Sequence, residues 1–215
     1  VTYSLTDDAG GRFAIDANSG VVTVANSSLL NREAVASHNI TVRATSADAS
    51  TAEATFTINL NDVDEFDVTV PSDSNATANN VAENAANGTV VGVTAFASDA
   101  DATTNAVTYS LTGDASGRFA IDANSGVVTV ANGSLLNREA AASLTITVQA
   151  TSADGSTSTQ NFTIGLTDVN EFAVSAVSDT NATANSVAEN AANGTLVGVT
   201  AFASDADATT DTVTY

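Results

Sequence analysis

Polar and apolar residues alternate strictly over Thr55-Phe56-Thr57-Ile58-Asn59-Leu60 and again over Thr145-Ile146-Thr147-Val148. A period of two puts one face of an extended segment in a core and the other in water, so both stretches are predicted as strands. Residues 1–5, 12–16, 20–25, 39–44, 68–71 and 90–97 read similarly. Turn signals separate them. Asp16-Ala17-Asn18-Ser19-Gly20 and its copy over residues 122–126 place Asn and Gly where a hairpin needs positive φ, as do Asn87-Gly88 and Asn193-Gly194. The Ala-rich pieces 34–37 and 140–143 are too short to stand as helices and read as connectors. Roughly seven short strands per unit, with turns between them, predict an antiparallel sandwich. Its inward positions would be Phe13, Ile15, Val22, Val24, Leu30, Ile40, Val42, Phe56, Ile58 and Leu60 with their copies, which uses nearly all the large apolar residues.

Those copies come from a repeat. Tyr3, Tyr109 and Tyr215 share one slot at a spacing of 106 residues, as do Glu83 and Glu189, or Arg12 and Arg118. A unit of that length is the size of a domain and longer than a solenoid period, so each repeat is expected to carry its own core. On this reading residues 67–172 form one complete repeat. Residues 1–66 form a partial repeat lacking the first strands, and residues 173–215 a partial repeat of first strands only. The chain opens and closes on the same tripeptide, Val-Thr-Tyr, and has no Met, so it reads as an excerpt of a longer repetitive protein. Unpaired strand edges are expected at both ends, and with them head-to-tail association by strand complementation.

Composition narrows the function. Twenty-five acidic residues stand against five basic ones, for a formal net charge of -20. Such a field repels nucleic acid and anionic membrane surfaces and attracts cations, and no apolar run approaches the ~18 residues of a membrane span. The absence of Cys excludes a disulfide framework and a thiolate site. His38 is the sole histidine and its copy is Leu144, so it reads as a surface residue at a strand edge. No Ser has a His partner repeated with it, and no glycine-rich phosphate loop is present. The chain is predicted not to be an enzyme.

Two accounts of the acidity compete: a generally acidic surface suited to a salty medium, or carboxylates gathered to hold metal. Asp7, Asp8, Asp16 and Asp114 read as solvated turn residues. Many of the others gather where one repeat hands over to the next, at Asp62-Val63-Asp64-Glu65 and Asp168-Val169-Asn170-Glu171. Close carboxylates repel one another, so a cluster of several needs a cation to neutralise it. Calcium takes about 6 to 8 oxygen ligands, which must be delivered here from separate segments. Neither an EF-hand loop nor the glycine-rich nonapeptide of calcium-binding β-helices occurs.

With the strands placed, six motifs in one order resemble the cadherin repeat in its bacterial form, over the whole chain. They are Ala82-Glu83-Asn84, Asp99-Ala100-Asp101, Val107-Thr108-Tyr109-Ser110-Leu111, the hairpin of residues 119–126, Leu136-Asn137-Arg138-Glu139 and Asp168-Val169-Asn170-Glu171. The resemblance implies an all-β fold of tandem seven-stranded antiparallel Greek-key β-sandwiches, cadherin- and immunoglobulin-like, with Ca2+ as the cofactor of each joint. Carried over residue by residue, it implies Glu83, Glu139, Asp168, Asn170 and Glu171 with Asp205 and Asp207 at the second joint. At the first it implies Glu33, Asp62, Asp64 and Glu65 with Asp99 and Asp101, plus a carbonyl from Asn105. The first joint has no counterpart of Glu83, so the second is expected to be the better equipped.

This chain departs from the family pattern in three places. Asn31 and Asn137 stand where the family loop has an aspartate. Ser46 and Ser152 stand where it has Asp in a late strand, with Asp48 and Asp154 two residues later as substitutes on the same strand face. The linker ends in Glu-Phe. Asp73 with Asn75, and Asp179 with Asn181, suit either a polar turn or an extra calcium site, and the polar turn is the favoured reading. The function implied is a calcium-rigidified structural extender of a bacterial cell-surface or secreted adhesin, supporting adhesion or biofilm attachment. Its partners would be the neighbouring repeats of the same chain through calcium, and a cell-surface or polysaccharide ligand. The alternative is a calcium-dependent carbohydrate- or protein-binding module of an extracellular protein.

Overall fold

The protein is described by a computed structural model over residues 1–209 and 211–215. It divides into two compact units. One comprises Val1–Thr69, Ser98–Val107 and Thr151–Thr157, and the other Val70–Ala97, Thr108–Ala150 and Ser158–Tyr215. The architecture is all-β, as expected, with two short 3-10 turns at Ser27–Leu29 and Gly133–Leu135. The sequence pattern did not predict those turns. Each is capped by an Asn side chain: Asn26 accepts from the Ser28 N–H at 3.1 Å, and Asn132 from the Ser134 N–H at 3.2 Å.

In the first unit, β1 (Thr2–Asp7), β4 (Ser37–Thr45) and β5 (Thr51–Asn59) form an antiparallel sheet in the order β1-β4-β5, and β2 (Phe13–Ile15) pairs with β3 (Val22–Val24). Phe13 and Ile40 are buried between them. His38 lies on the central strand β4, half-buried, with its ring 6.4 Å from that of Phe13 and edge-on to it. It is a packing residue, which corrects the expectation of a strand-edge surface histidine. Val24 and Phe56 do not reach a core either; both are more than half exposed.

The second unit shows why. Its strands are β6 (Ser72–Asp73), β7 (Asn80–Ala82), β8 (Val90–Phe96), β9 (Val107–Gly113), β10 (Phe119–Ile121), β11 (Val127–Val130), β12 (Ser143–Ser152), β13 (Thr157–Thr167), β14 (Ser178–Asp179) and β15 (Ala201–Phe202). Two four-stranded sheets, β10-β11-β8-β6 and β7-β13-β12-β9, are accompanied by the small pair β14-β15. Val91 and Val93 of β8 are fully buried, as are Val128, Leu136, Ile146, Val148 and Ile164. Burial of this kind contributes about 1.5–3 kcal/mol per large aliphatic side chain. Residues 1–66 contain no segment matching β8 in sequence, so the copies of these positions lack a cover.

The expected strand at 68–71 is absent; Pro71 has no N–H to give a ladder, and the strand begins at Ser72. The first strand of the complete repeat is split. β6 pairs antiparallel with β8 in one sheet, and β7 then pairs parallel with β13 in the other. The β7–β13 pair is therefore parallel, and that pair sets the site.

Candidate metal centre

Because β7 and β13 run parallel, with Ala82 opposite Thr167, their C-terminal ends lie side by side. The residues that follow them, Glu83 and Asp168, emerge together. The Glu83 N–H donates to the Thr167 carbonyl at 3.0 Å, extending the ladder by one step. Its side chain is 1% exposed. One carboxylate oxygen accepts from the Arg138 N–H at 2.6 Å and the other from the Val169 N–H at 2.8 Å, so the buried charge is held by backbone donors. The Arg138 contact brings in Glu139. Carboxylate oxygens of Glu83, Glu139 and Asp168 lie within 4.8 Å of one another, and so do those of Glu139, Glu171 and Asp207. Asp207 is fixed by the N–H groups of Glu171 and Phe172, at 3.0 and 3.2 Å, both donating to Oδ1. Ala208 N–H donates to Glu139 at 3.2 Å, and the Thr209 hydroxyl donates to Asp168.

Among the described residues the first unit contains two groups of the same kind. Glu33, Glu65 and Asp101 are the copies of Glu139, Glu171 and Asp207; the second group is Asp64, Asp101 and Asp154. Asp101 accepts from the N–H groups of Glu65 and Phe66, at 3.2 and 3.4 Å. Its own N–H donates to Asp99 Oδ1 at 3.1 Å, and Thr103 donates to Asp62 through both N–H, at 2.9 Å, and hydroxyl. Overlaid by repeat, the groups are of three kinds. Among the described residues the one built on Glu83 is found in the second unit. The one built on Asp154 is found in the first, where Asp64 takes the place that Asn170 has in the second.

The electrostatics separate two roles. Asp168 and Asp62 are held below the usual carboxylate range, chiefly by the hydroxyls of Thr209 and Thr103. Asp99 is lowered chiefly by the Ser152 hydroxyl. Glu171, Glu65 and Asp64 are pushed up, first by loss of hydration and then by the surrounding charges: Glu83, Glu139 and Asp207 around Glu171, Glu33 and Asp101 around Glu65, Asp154 and Asp101 around Asp64. These are the groups on which the repulsion of the cluster falls.

A hard cation fits this donor set. Among the described residues, one carboxylate oxygen of each of Glu33, Asp62, Asp99, Glu139, Asp154, Asp168 and Asp207 is buried without a hydrogen-bond partner. Buried acceptors are otherwise paired, and these all belong to or adjoin the four groups. Asp207 is the clearest case, with one oxygen unpartnered on a side chain 2% exposed. Of the residues singled out in the sequence, Glu33, Asp64, Glu65, Asp101, Glu83, Glu139, Asp168, Glu171 and Asp207 enter a group directly. Asp62, Asp99 and Asp205 stand beside one; Asp205 accepts from the Asp207 N–H at 3.4 Å. Asn105 and Asn170 bring only neutral oxygens.

Asp154 reaches its group by a different route from the one expected. β12 ends at Ser152, so Asp154 lies in the following turn, not on the strand face, and Ser156 N–H donates to it at 2.6 Å. Ser152, in the late strand, instead sets its hydroxyl between the Asp99 carboxylate and the Thr104 carbonyl, 2.9 Å from the carbonyl, with one proton for the two acceptors. Thr103 and Thr209 were missed in the sequence; the signal available was their fixed place two residues after Asp101 and Asp207. Asp73 and Asp179 form polar turns. Asp73 accepts from Asn75 and Thr94 N–H at 3.0 and 3.1 Å, and Asp179 from Asn181 and Thr200 N–H at 3.0 and 2.9 Å.

The split first strand and the acidic cluster following it together define an immunoglobulin-like sandwich module with a carboxylate-lined boundary. The chain belongs to the cadherin domain family, whose model matches residues 1–61 and 78–167. It is 38% identical over 193 residues to Cadherin-87A of Drosophila melanogaster, which covers 83% of this chain and 10% of the relative. It is 34% identical over 163 residues to human Cadherin-related family member 2, covering 74% of this chain and 12% of the relative. The chain spans from 3% to 12% of the length of the curated relatives it matches. Among solved structures, three domains (EC22-24) of mouse Cadherin-23 align with a TM-score of 0.72 at 28% identity, over 96% of this chain and 65% of that one. A protocadherin gammaB7 EC3-6 cis-dimer structure aligns with a TM-score of 0.73 at 25% identity, over 96% and 48%. The family is one of adhesion domains, not enzymes. Among the described residues no helix is long and apolar enough to cross a membrane.

Proposed function

We propose that the chain is one complete cadherin repeat, residues 67–172, with partial repeats over residues 1–66 and 173–215, and that its two carboxylate clusters bind calcium. The observation that carries this reading is the set of buried, unpartnered carboxylate oxygens converging on each boundary. Calcium, when bound, supplies the positive charge and oxygen coordination that these groups lack. Glu83, Glu139 and Asp168, or Glu33 and Asp62, belong to the end of one repeat; Asp207, or Asp99 and Asp101, belong to the beginning of the next. A cation held by both sets ties successive repeats and stiffens the joint between them. Four groups predict four ions for the chain, two in each unit.

The wider reading is an extracellular extender of a surface adhesin, with neighbouring repeats as partners through calcium. Its bacterial setting rests on the resemblance of the repeated motifs to the bacterial form of the family's repeat; the relatives named above are animal proteins. Calorimetric titration tests the core of the proposal. Calcium should bind with dissociation constants of ~0.1–1 mM, the range of extracellular modules, and X-ray scattering should report a changed maximum dimension in excess chelator. No heat of binding in that range would overturn it. A second reading, a carbohydrate- or protein-binding module, is favoured by Phe96 of β8, 56% exposed and repeated as an exposed Phe202. A glycan array probed with Phe96→Ala as control distinguishes it.

A further inference from the structure

Each acidic cluster is laced by donations that run both ways. The linker N–H groups of Glu65 and Phe66 donate to Asp101, and two residues further on Thr103 returns the donation to the linker, at Asp62. In the second unit Glu171 and Phe172 donate to Asp207, and Thr209 donates back to Asp168. Asp62 and Thr103 are 41 residues apart in sequence, as are Asp168 and Thr209, so neither contact is a local turn. Both threonines are exposed. Water could satisfy their hydroxyls, and burial does not force them onto the carboxylates.

The choice of atoms is the informative part. The Thr103 N–H, at 2.9 Å, and the Thr103 hydroxyl both donate to Asp62 Oδ2. A carboxylate oxygen offers two lone pairs, so this oxygen is fully used. The other, Oδ1, is buried and has no partner. Asp168 divides its oxygens in the same way. The Thr209 hydroxyl donates to Oδ2, the Thr209 N–H is directed at the same carboxylate, and Oδ1 is buried without a partner. A carboxylate free to turn about its Cβ–Cγ bond presents either oxygen or both. Here one is taken and the other is left for a ligand.

We infer that Thr103 and Thr209 are positioning residues for the boundary cations: each occupies one oxygen of the linker aspartate and reserves the other for the ion. The inference rests on the calcium reading given above. Neither threonine touches the ion. Each makes its aspartate a ligand through a single oxygen and orders it before the ion arrives, so that less ordering remains to be done on binding. Any residue but proline would supply the N–H; the hydroxyl is what threonine adds, and it completes the occupation of Oδ2.

Nuclear magnetic resonance of the isotope-labelled full chain tests the inference. A calcium titration is followed at the Glu65 and Phe66 amides for the first cluster and at the Glu171 and Phe172 amides for the second, so each is read separately. Thr209→Val removes the hydroxyl and keeps the shape and the N–H. The calcium concentration at half-change for Glu171 and Phe172 should rise about 10-fold, the lower end of what loss of an orienting partner costs a metal site, while that for Glu65 and Phe66 stays put. Thr103→Val should give the reverse, and Thr→Ser at either position should keep the unaltered value. Spectra in chelator check that the variants fold; a merely structural role would disturb those spectra without moving the affinity. A second measurement needs no ion: in chelator the Thr103 N–H should exchange slowly with solvent, and fast in Asp62→Ala. Unchanged affinity in the two Val variants overturns the inference. So does tighter binding, which would mean that the hydroxyl competes with the ion for the carboxylate, and so does fast exchange of the Thr103 N–H in the unaltered protein. No calcium response at any of the four amides of the unaltered protein defeats the calcium reading and the inference with it, and is recognised before any substitution is made.

Discussion

Glu139 belongs to both carboxylate groups of the second unit, so removing its charge should cost that unit both cations at once. Binding to the native state alone stabilises it by RT ln(1 + [L]/Kd). With constants of ~0.1–1 mM, calcium at ~10 mM gives about 1.4–2.7 kcal/mol per ion, or roughly 3–5 kcal/mol for two. At ~2–4 °C per kcal/mol, calcium should raise the melting temperature of the second unit in the unaltered protein by roughly 6–20 °C relative to chelator. Glu139→Gln keeps the side-chain volume and an oxygen for the Ala208 N–H, which donates to Glu139 at 3.2 Å, while removing one negative charge from a crowded cluster. The variant in chelator should therefore melt no lower than the unaltered protein, and its calcium-dependent rise for the second unit should fall to a small fraction. Glu53→Gln, whose side chain pairs with Arg43 at 2.7 Å away from any group, serves as the control and should keep the full rise. Differential scanning calorimetry with and without calcium reads all three proteins. An undiminished calcium shift in Glu139→Gln would refute the shared-ligand reasoning.

Other consequences follow from single residues. Ala49 sits at φ +66°, where its copy is Gly155; Ala49→Gly should stabilise the first unit by about 0.5–1 kcal/mol, read as a higher urea midpoint, and an unchanged or lower midpoint would contradict it. Gly133→Ala places a Cβ 1.9 Å from the Ala85 oxygen at a residue without positive φ, so its expected cost of about 1–3 kcal/mol in chemical denaturation is purely steric. Asp122 is held below its usual value of 3.8, first by the Ser125 N–H and then by the Ser125 hydroxyl and Asn124 N–H. A lowered folded-state value gives stability that is present above the unfolded value and lost as pH falls through the folded one. Asp122→Asn should thus be less stable at neutral pH and lose less on acidification, and urea midpoints that fall in parallel for both proteins would contradict this.

The strands were legible because alternation is a local property: Phe119, Val128, Val130, Ile146, Val148 and Ile164 were predicted inward and are buried. The acidic boundary was legible because the motif recurs at one spacing. The parallel pairing of β7 with β13 was not, since no local pattern records which strand a neighbour will join. That pairing brings Glu83 to Asp168 across 84 intervening residues, a fact of topology alone. Asp154 was identified, but for a reason that fails, because the strand whose face was to carry it stops at Ser152. The hydroxyls of Thr103 and Thr209 were hidden in a Thr-rich chain, where two more threonines carry no signal.

The repeat separates what residues determine from what their surroundings determine. Val24 and Val130 are the same residue in the same hairpin, and one is 53% exposed while the other is 2% exposed. The hairpin forms in both copies, as β2-β3 and as β10-β11, so its burial depends on segments outside it. The carboxylates obey the same rule. Asp62 and Asp168 have identical Thr neighbours and are lowered by them in the same way, yet only Asp168 joins a group with Glu83 and Glu139. The linker motif is therefore half a site in both copies, and its completion depends on the strand that ends at Ala82.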